Sequence, residues 1–147
     1  MSKKNIGASI DSVFSGAVYA QAGVTGSNLT AVAGASIDRQ GYESGVYNVI
    51  YKTTLTNAKT LTLAAEYQES ANNSDWDAAV DIVTAELLGA GTTGGSTITG
   101  VYEYDINLSE KKRYIKFNLT PTLSATSADV AIIGASVVLG GADKLPK

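Results

Sequence analysis

A few groupings of side chains have the types and spacing to do chemistry. Asp75, Asp77 and Asp81 form the densest run of carboxylates, and hard oxygen ligands of that kind suit Ca²⁺. Their spacing departs from an EF-hand loop, which also needs a central Gly and a distal Glu. A solvated acidic loop is the plainer reading. Trp76 stands between two of these acids. A lone Trp can be a sugar-stacking platform, or more simply a packed core or interface anchor. Glu66 or Glu69, set against Glu103 or Asp105, could form a glycosidase pair. Such carboxyl groups must be held about 5–9 Å apart, and outward strand carboxylates are more often plain surface charge. Residues 89–95 read Gly-Ala-Gly-Thr-Thr-Gly-Gly. A phosphate cradle needs Gly-x-x-x-x-Gly-Lys-Ser/Thr opening a helix; here no Lys follows, and a strand does. Lys111-Lys112-Arg113 is a basic triplet that could meet an acidic neighbour or sit as a solvated turn.

Composition narrows these options. The 147 residues include no His and no Cys. The commonest general base, the commonest transition-metal ligand and all thiolate chemistry are therefore missing. The Ser and Thr residues have no His partner, and no spacing supports a Ser–Lys scheme. With 11 Lys+Arg against 14 Asp+Glu, the formal charge is -3. Phosphate backbones attract clustered cations, so no nucleic-acid partner is expected. No apolar run is long and unbroken enough for a spanning helix: Val13 to Ala35 is interrupted by Ser15, Gln21, Thr25 and Asn28. No membrane partner, secretory leader or cofactor is expected. Charged residues are only 17% while hydrophobic ones reach 44%. A surface of small uncharged groups is poorly protected against association, which suits a chain that works packed against neighbours.

The elements that must position these residues are strands. From Thr97 to Leu108, Ile98, Gly100, Tyr102, Tyr104, Ile106 and Leu108 share one face, with Val101 the exception on the polar side. Strand side chains alternate between faces, so this period of two marks a half-buried strand. Lys59 to Glu69 and Lys112 to Leu119 repeat the pattern, with Arg113 placed at the sheet rim. Gly45 to Leu55 carries Tyr47, Val49, Tyr51 and Leu55 on one side and Val46 and Ile50 on the other, so both faces are expected to be covered. Val130 to Leu139 is a continuous apolar run, which suits a central strand between two packed layers. Shorter candidates are Ser12 to Ala20, Thr30 to Arg39 and Ala79 to Leu88. The last also fits a helical stripe of Trp76, Ala79, Val80, Val83 and Leu87, but its β-branched residues and the following Gly89 favour a strand. Asn57-Ala58 and Ser109-Glu110-Lys111 read as hairpin turns, Ser70 to Asp77 as a polar loop, and Thr120-Pro121 as a strand end. The expected fold is all-β: one domain over residues 1–147, an antiparallel jelly-roll-like sandwich of about eight strands. Residues 1–11 form an N-terminal arm and 140–147 a C-terminal tail.

Several segments resemble small tailed-phage structural proteins of the capsid decoration, or cement, type. They are Arg113-Tyr114-Ile115, Thr120-Pro121-Thr122-Leu123-Ser124, and Val137-Val138-Leu139-Gly140-Gly141-Ala142-Asp143 with Pro146 beyond. Ile37 to Ser44 and Glu66 to Ser70 fit the same pattern upstream, so the resemblance runs from about Ile37 onward. It implies a non-enzymatic virion protein on the outer surface of the capsid. Its partners would be the major capsid protein and copies of itself, clustered as trimers. Weak contacts would then be multiplied by symmetry. Lys111, Lys112, Arg113, Leu139, Asp143, Leu145 and Pro146 are the expected interface residues. The alternatives are a tail- or fibre-associated β module, a carbohydrate-binding module using Trp76, and a glycosidase using Glu66.

Overall fold

Alternating apolar and polar residues make strands because each strand presents one face to a core and the other to water. Ser96–Asn107 shows this plainly: Ile98, Tyr102, Tyr104 and Ile106 turn inward, while Thr97, Thr99, Val101, Glu103 and Asp105 are exposed. The structure is a computed structural model and describes residues 10–21, 31–125 and 128–142. Its strands are β1 (Asp11–Gln21), β2 (Val32–Ala33), β3 (Ile37–Asp38), β4 (Tyr42–Leu55), β5 (Thr60–Ser70), β6 (Val80–Ala90), β7 (Ser96–Asn107), β8 (Tyr114–Leu123) and β9 (Val130–Ala142). No helix among the described residues is long and apolar enough to cross a membrane.

Two antiparallel sheets face each other. One has the order β1-β9-β4-β7; the other runs β2-β8-β5-β6, with β3 also on β8. The pairing is nested: β1 with β9, β2 and β3 with β8, β4 with β7, and β5 with β6. That is the wrapping of a jelly roll, the expected architecture. Between the sheets lie Tyr47, Val49, Leu61, Leu63, Ile115, Phe117, Ile133, Val137 and Leu139, all buried. Tyr47 and Phe117 come from opposite sheets and stack, with centroids 4.3 Å apart and planes at 12°. Burial pushes the Tyr47 phenol far above its usual range, the neighbouring Ser15 hydroxyl offsetting part of that, so the ring stays neutral in the core.

Several expectations need correction. Asn57-Ala58 and Ser109 to Lys111 are not hairpins. Each turn links strands of different sheets, β4 to β5 and β7 to β8. Pro121 does not end its strand; it pairs with Leu63 inside β8. The Phe117 carbonyl accepts a bond from the Gly34 amide on the β2 side. Alternate residues of a strand point the same way, so the Pro121 nitrogen faces that side too. There the β2 ladder stops at Leu119, so the missing N–H breaks no described bond. Thr30 to Arg39 holds two short strands rather than one. Asp11 and residues 140–142 belong to β1 and β9 rather than to arms.

The broken segment between β2 and β3 closes one edge of the sandwich. The Gly34 amide donates to Phe117 O of β8 at 2.8 Å, and the Ala35 amide donates to Ser15 O of β1 at 2.7 Å. Ser15 lies at a register shift of β1 between Phe14 and Gly16. An extra residue there bends the strand and turns its carbonyl toward the other sheet.

Candidate functional site

The nested pairing gathers the expected interface residues Lys111, Lys112, Arg113 and Leu139 at one end of the sandwich. Asp11 of β1 pairs with Leu139 of β9, and Ser44 pairs with both Gly140 and Asn107. The two ends of the chain's described span and the β7–β8 loop therefore lie together. The Leu108 amide donates to Glu43 O in the same corner.

The basic triplet at this end is internally neutralised. Lys111 Nζ lies 3.2 Å from Glu69 Oε1 and donates to the Tyr67 hydroxyl at 2.8 Å. The Tyr67 bond, helped by Glu69 and opposed by partial burial, raises the Lys111 pKa. Lys112 Nζ meets Asp77 at 2.7 Å, and its amide donates to Glu69 Oε2. Arg113 forms a forked contact with Asp38, the shortest arm 2.7 Å. Arg39 donates to the carbonyls of Lys111 and Lys112 and to that of Tyr42. The triplet is thus a clasp between β3, β5 and β8, not a free basic patch.

The Asp38 pair carries a pH dependence of known sign. The Arg113 hydrogen bond, the largest cause, holds the Asp38 carboxyl below its ordinary value of 3.8. A carboxylate depressed in the folded state stabilises above its unfolded pKa and ceases to do so as pH falls through the folded one. Both side chains are substantially exposed, so solvent and salt screen the effect. Asp38→Asn is expected to lower the urea midpoint slightly at pH 7. The difference from the parent should vanish below the ordinary carboxylate range and in 1 M salt. An unchanged gap at low pH would assign the loss to something other than this charge.

The other candidates are dispersed. Glu66 is on the outward row of β5, and Glu103 and Asp105 on the outward row of β7, with the core between them. No carboxylate dyad forms from these residues. Asn118 Nδ2 donates to Glu66 Oε1 at 2.9 Å. Asp75 accepts from Asn72, and Asp77 is taken by Lys112. No metal-ligating group of three occurs among the described residues. Trp76 is half-buried, with Lys116 Nζ 4.3 Å from its ring centroid, so an ammonium already occupies one face. The glycine loop is tied down rather than open: the Gly91 amide donates to Lys59 O and its carbonyl accepts from Ala58 N. Leu139 is 1% exposed and belongs to the core, so it offers no surface to a partner. Asp143, Leu145 and Pro146 lie outside the described residues.

Sequence reasoning missed an exposed apolar face. Among the described residues no layer covers the outer face of β1-β9-β4-β7: Phe14, Ile50, Val101 and Ile132 are 64%, 58%, 57% and 57% exposed. Register puts Ile50 beside both Val101 and Gly134. A Cβ at Gly134 would meet nothing within 4 Å, so a shallow dip lies among these apolar side chains. Lone exposed apolar residues are ordinary, but a contiguous group on one sheet marks an interaction surface. The signal was present in Val101, the one break in the alternation of its strand.

No family model matches the chain, and no curated protein matches it. Solved structures do. One match is the crystal structure of the infectious bursal disease virus VP2 subviral particle, with TM-score 0.51 and 12% identity over 90% of this chain. The structure of the infectious bursal disease virus Gx strain gives 0.54 and 10% over 90%. The T13 viral particle of the same virus gives 0.52 and 11% over 93%. This chain spans 32% of the length of each of those chains. At such identity the likeness is one of fold: a β-sandwich of the kind found in chains of viral particles.

Proposed function

We propose that this chain is a non-enzymatic structural protein of a bacteriophage virion. It acts as a cement or decoration protein that binds the outer surface of the major capsid protein shell and stabilises it. The observation that carries this reading is the jelly roll itself, shared over 90% of the chain with a chain of the VP2 subviral particle. The phage resemblance of the segments from Ile37 onward supplies the particular role. The carboxylates at the clasp end are engaged in structural pairs, which suits a structural role. A cement protein acts by adding modest burial at many equivalent places.

The test is the copy number of this chain relative to the major capsid protein, by quantitative mass spectrometry of purified particles. A ratio near one, or a simple fraction of it, is expected. A few copies per particle would move the chain to the tail, and none would remove it from the virion.

A further inference from the structure

The outer face of β1-β9-β4-β7, bare among the described residues, has both an apolar centre and a charge pattern. The outward residues of β4 run Val46, Asn48, Ile50, Lys52, Thr54; those of β7 run Asp105, Glu103, Val101, Thr99, Thr97, each opposite its β4 counterpart. Lys52 therefore lies two residues, about 7 Å, to one side of the Ile50–Val101 row. Glu103 lies the same distance to the other side. At the clasp end every cation of the triplet has an acidic partner. Here neither Lys52 nor Glu103 has an ion-pair partner among the described residues, and both are exposed.

We propose that this face pairs with the same face of a second copy of the chain, about a two-fold axis lying across the strands at the Ile50–Val101 row. Such an axis reverses the strand direction. It sets Lys52 of each copy diagonally across from Glu103 of the other, one strand spacing aside. Asp105 then faces Thr54 and Thr97, so no like charges meet. Ile50 and Val101 fall on the axis row, and the charges lie in the rows to either side, with Ile132 beside Lys52, so apolar burial and charge pairing are combined across the contact. Four strands about 4.8 Å apart and ten residues long present a face of roughly 600 Å² before the relief of its side chains is counted. A standard interface takes about 800 Å² per partner. The self-complementary pattern favours a second copy over an unrelated partner, because an isologous contact must match itself.

The contact belongs to the purified chain and does not depend on the capsid reading. A dimer in solution can coexist with absence from particles, and the reverse. The experiment is sedimentation equilibrium of the chain, with circular dichroism confirming the fold of every variant. The parent is expected to show a concentration-dependent dimer of the 15.2 kDa chain. Lys52→Glu and Glu103→Lys should each raise the dimer Kd about tenfold or more, through like-charge contacts. The double variant, with the two charges exchanged, should bind nearly as the parent does. Ile50→Asp, at an exposed site, should leave a folded monomer. A parent that stays monomeric at millimolar concentration overturns the proposal. So does a trimer, which would join unlike surfaces, or a double variant no tighter than the singles.

Discussion

Phe117→Ala is expected to lower the unfolding free energy by about 3–5 kcal/mol, the usual loss for truncating a buried phenylalanine. The ring is 1% exposed and stacks on Tyr47 across the two sheets. It also meets Tyr67 of the neighbouring strand, centroids 6.5 Å apart and planes at 51°. Removing it leaves a cavity between sheets whose backbones are held by ladders on both sides, so little collapse can fill it. Domains of this kind are commonly stable by only about 5–15 kcal/mol, so the variant would sit near its unfolding limit. Urea titration followed by the fluorescence of Trp76, the one tryptophan, reads the change. A loss under about 1 kcal/mol would show that the stack does not anchor the sandwich.

Gly34→Ala is expected to cost about 3 kcal/mol, at the upper end of ordinary overpacking. A methyl there would sit 2.3 Å from Phe117 O, 2.5 Å from Ser15 O and 2.9 Å from Ser15 Oγ. Two of the three obstacles are backbone of different sheets, so neither can rotate away. Relief requires parting β1 from β8, which stretches the bonds of the Gly34 and Ala35 amides that close this edge. Gly16→Ala is the neighbouring control. Its methyl would lie an ordinary 3.5 Å from the Gly34 Cα, and its effect should stay within about 1 kcal/mol. Equal thermal unfolding midpoints for the two variants would mean that this edge yields freely.

These two sites also show what the sequence could and could not tell. Phe117 was legible: it falls on the apolar row with Ile115 and Leu119, and all three are buried. Alternation states that a strand is half-buried, and it identified β5, β7 and β8. The β6 sequence also fits a helical stripe, and its β-branched residues and Gly89 favour the strand. It does not state which sheet a strand joins. Asn57-Ala58 and Ser109 to Lys111 are short enough for hairpins, yet each carries the chain across the sandwich. Gly34 was invisible because its constraint comes from residues 15 and 117, far away in the chain. The clasp was half legible: the triplet stood out as charge, but Arg113 finds Asp38 at a separation of 75 residues. Ile50 and Ile132 were read as needing a second layer because hydropathy was taken as burial. The structure leaves both more than half exposed.

The nested pairing of strands also sets an order of events in time. β9 lies between β1 and β4 and is hydrogen-bonded to both, with Asp11 opposite Leu139. It is translated after every other described strand. Until it arrives, β1 has no neighbour in its sheet, and one edge of β4 stands open. Ladders this distant in sequence close late, because loop entropy is lost before their bonds form. The nascent chain therefore carries unpaired strand edges until residues 130–142 have emerged. Those open edges add a risk of aggregation during synthesis that the folded sheet no longer carries where β9 pairs with β1 and β4.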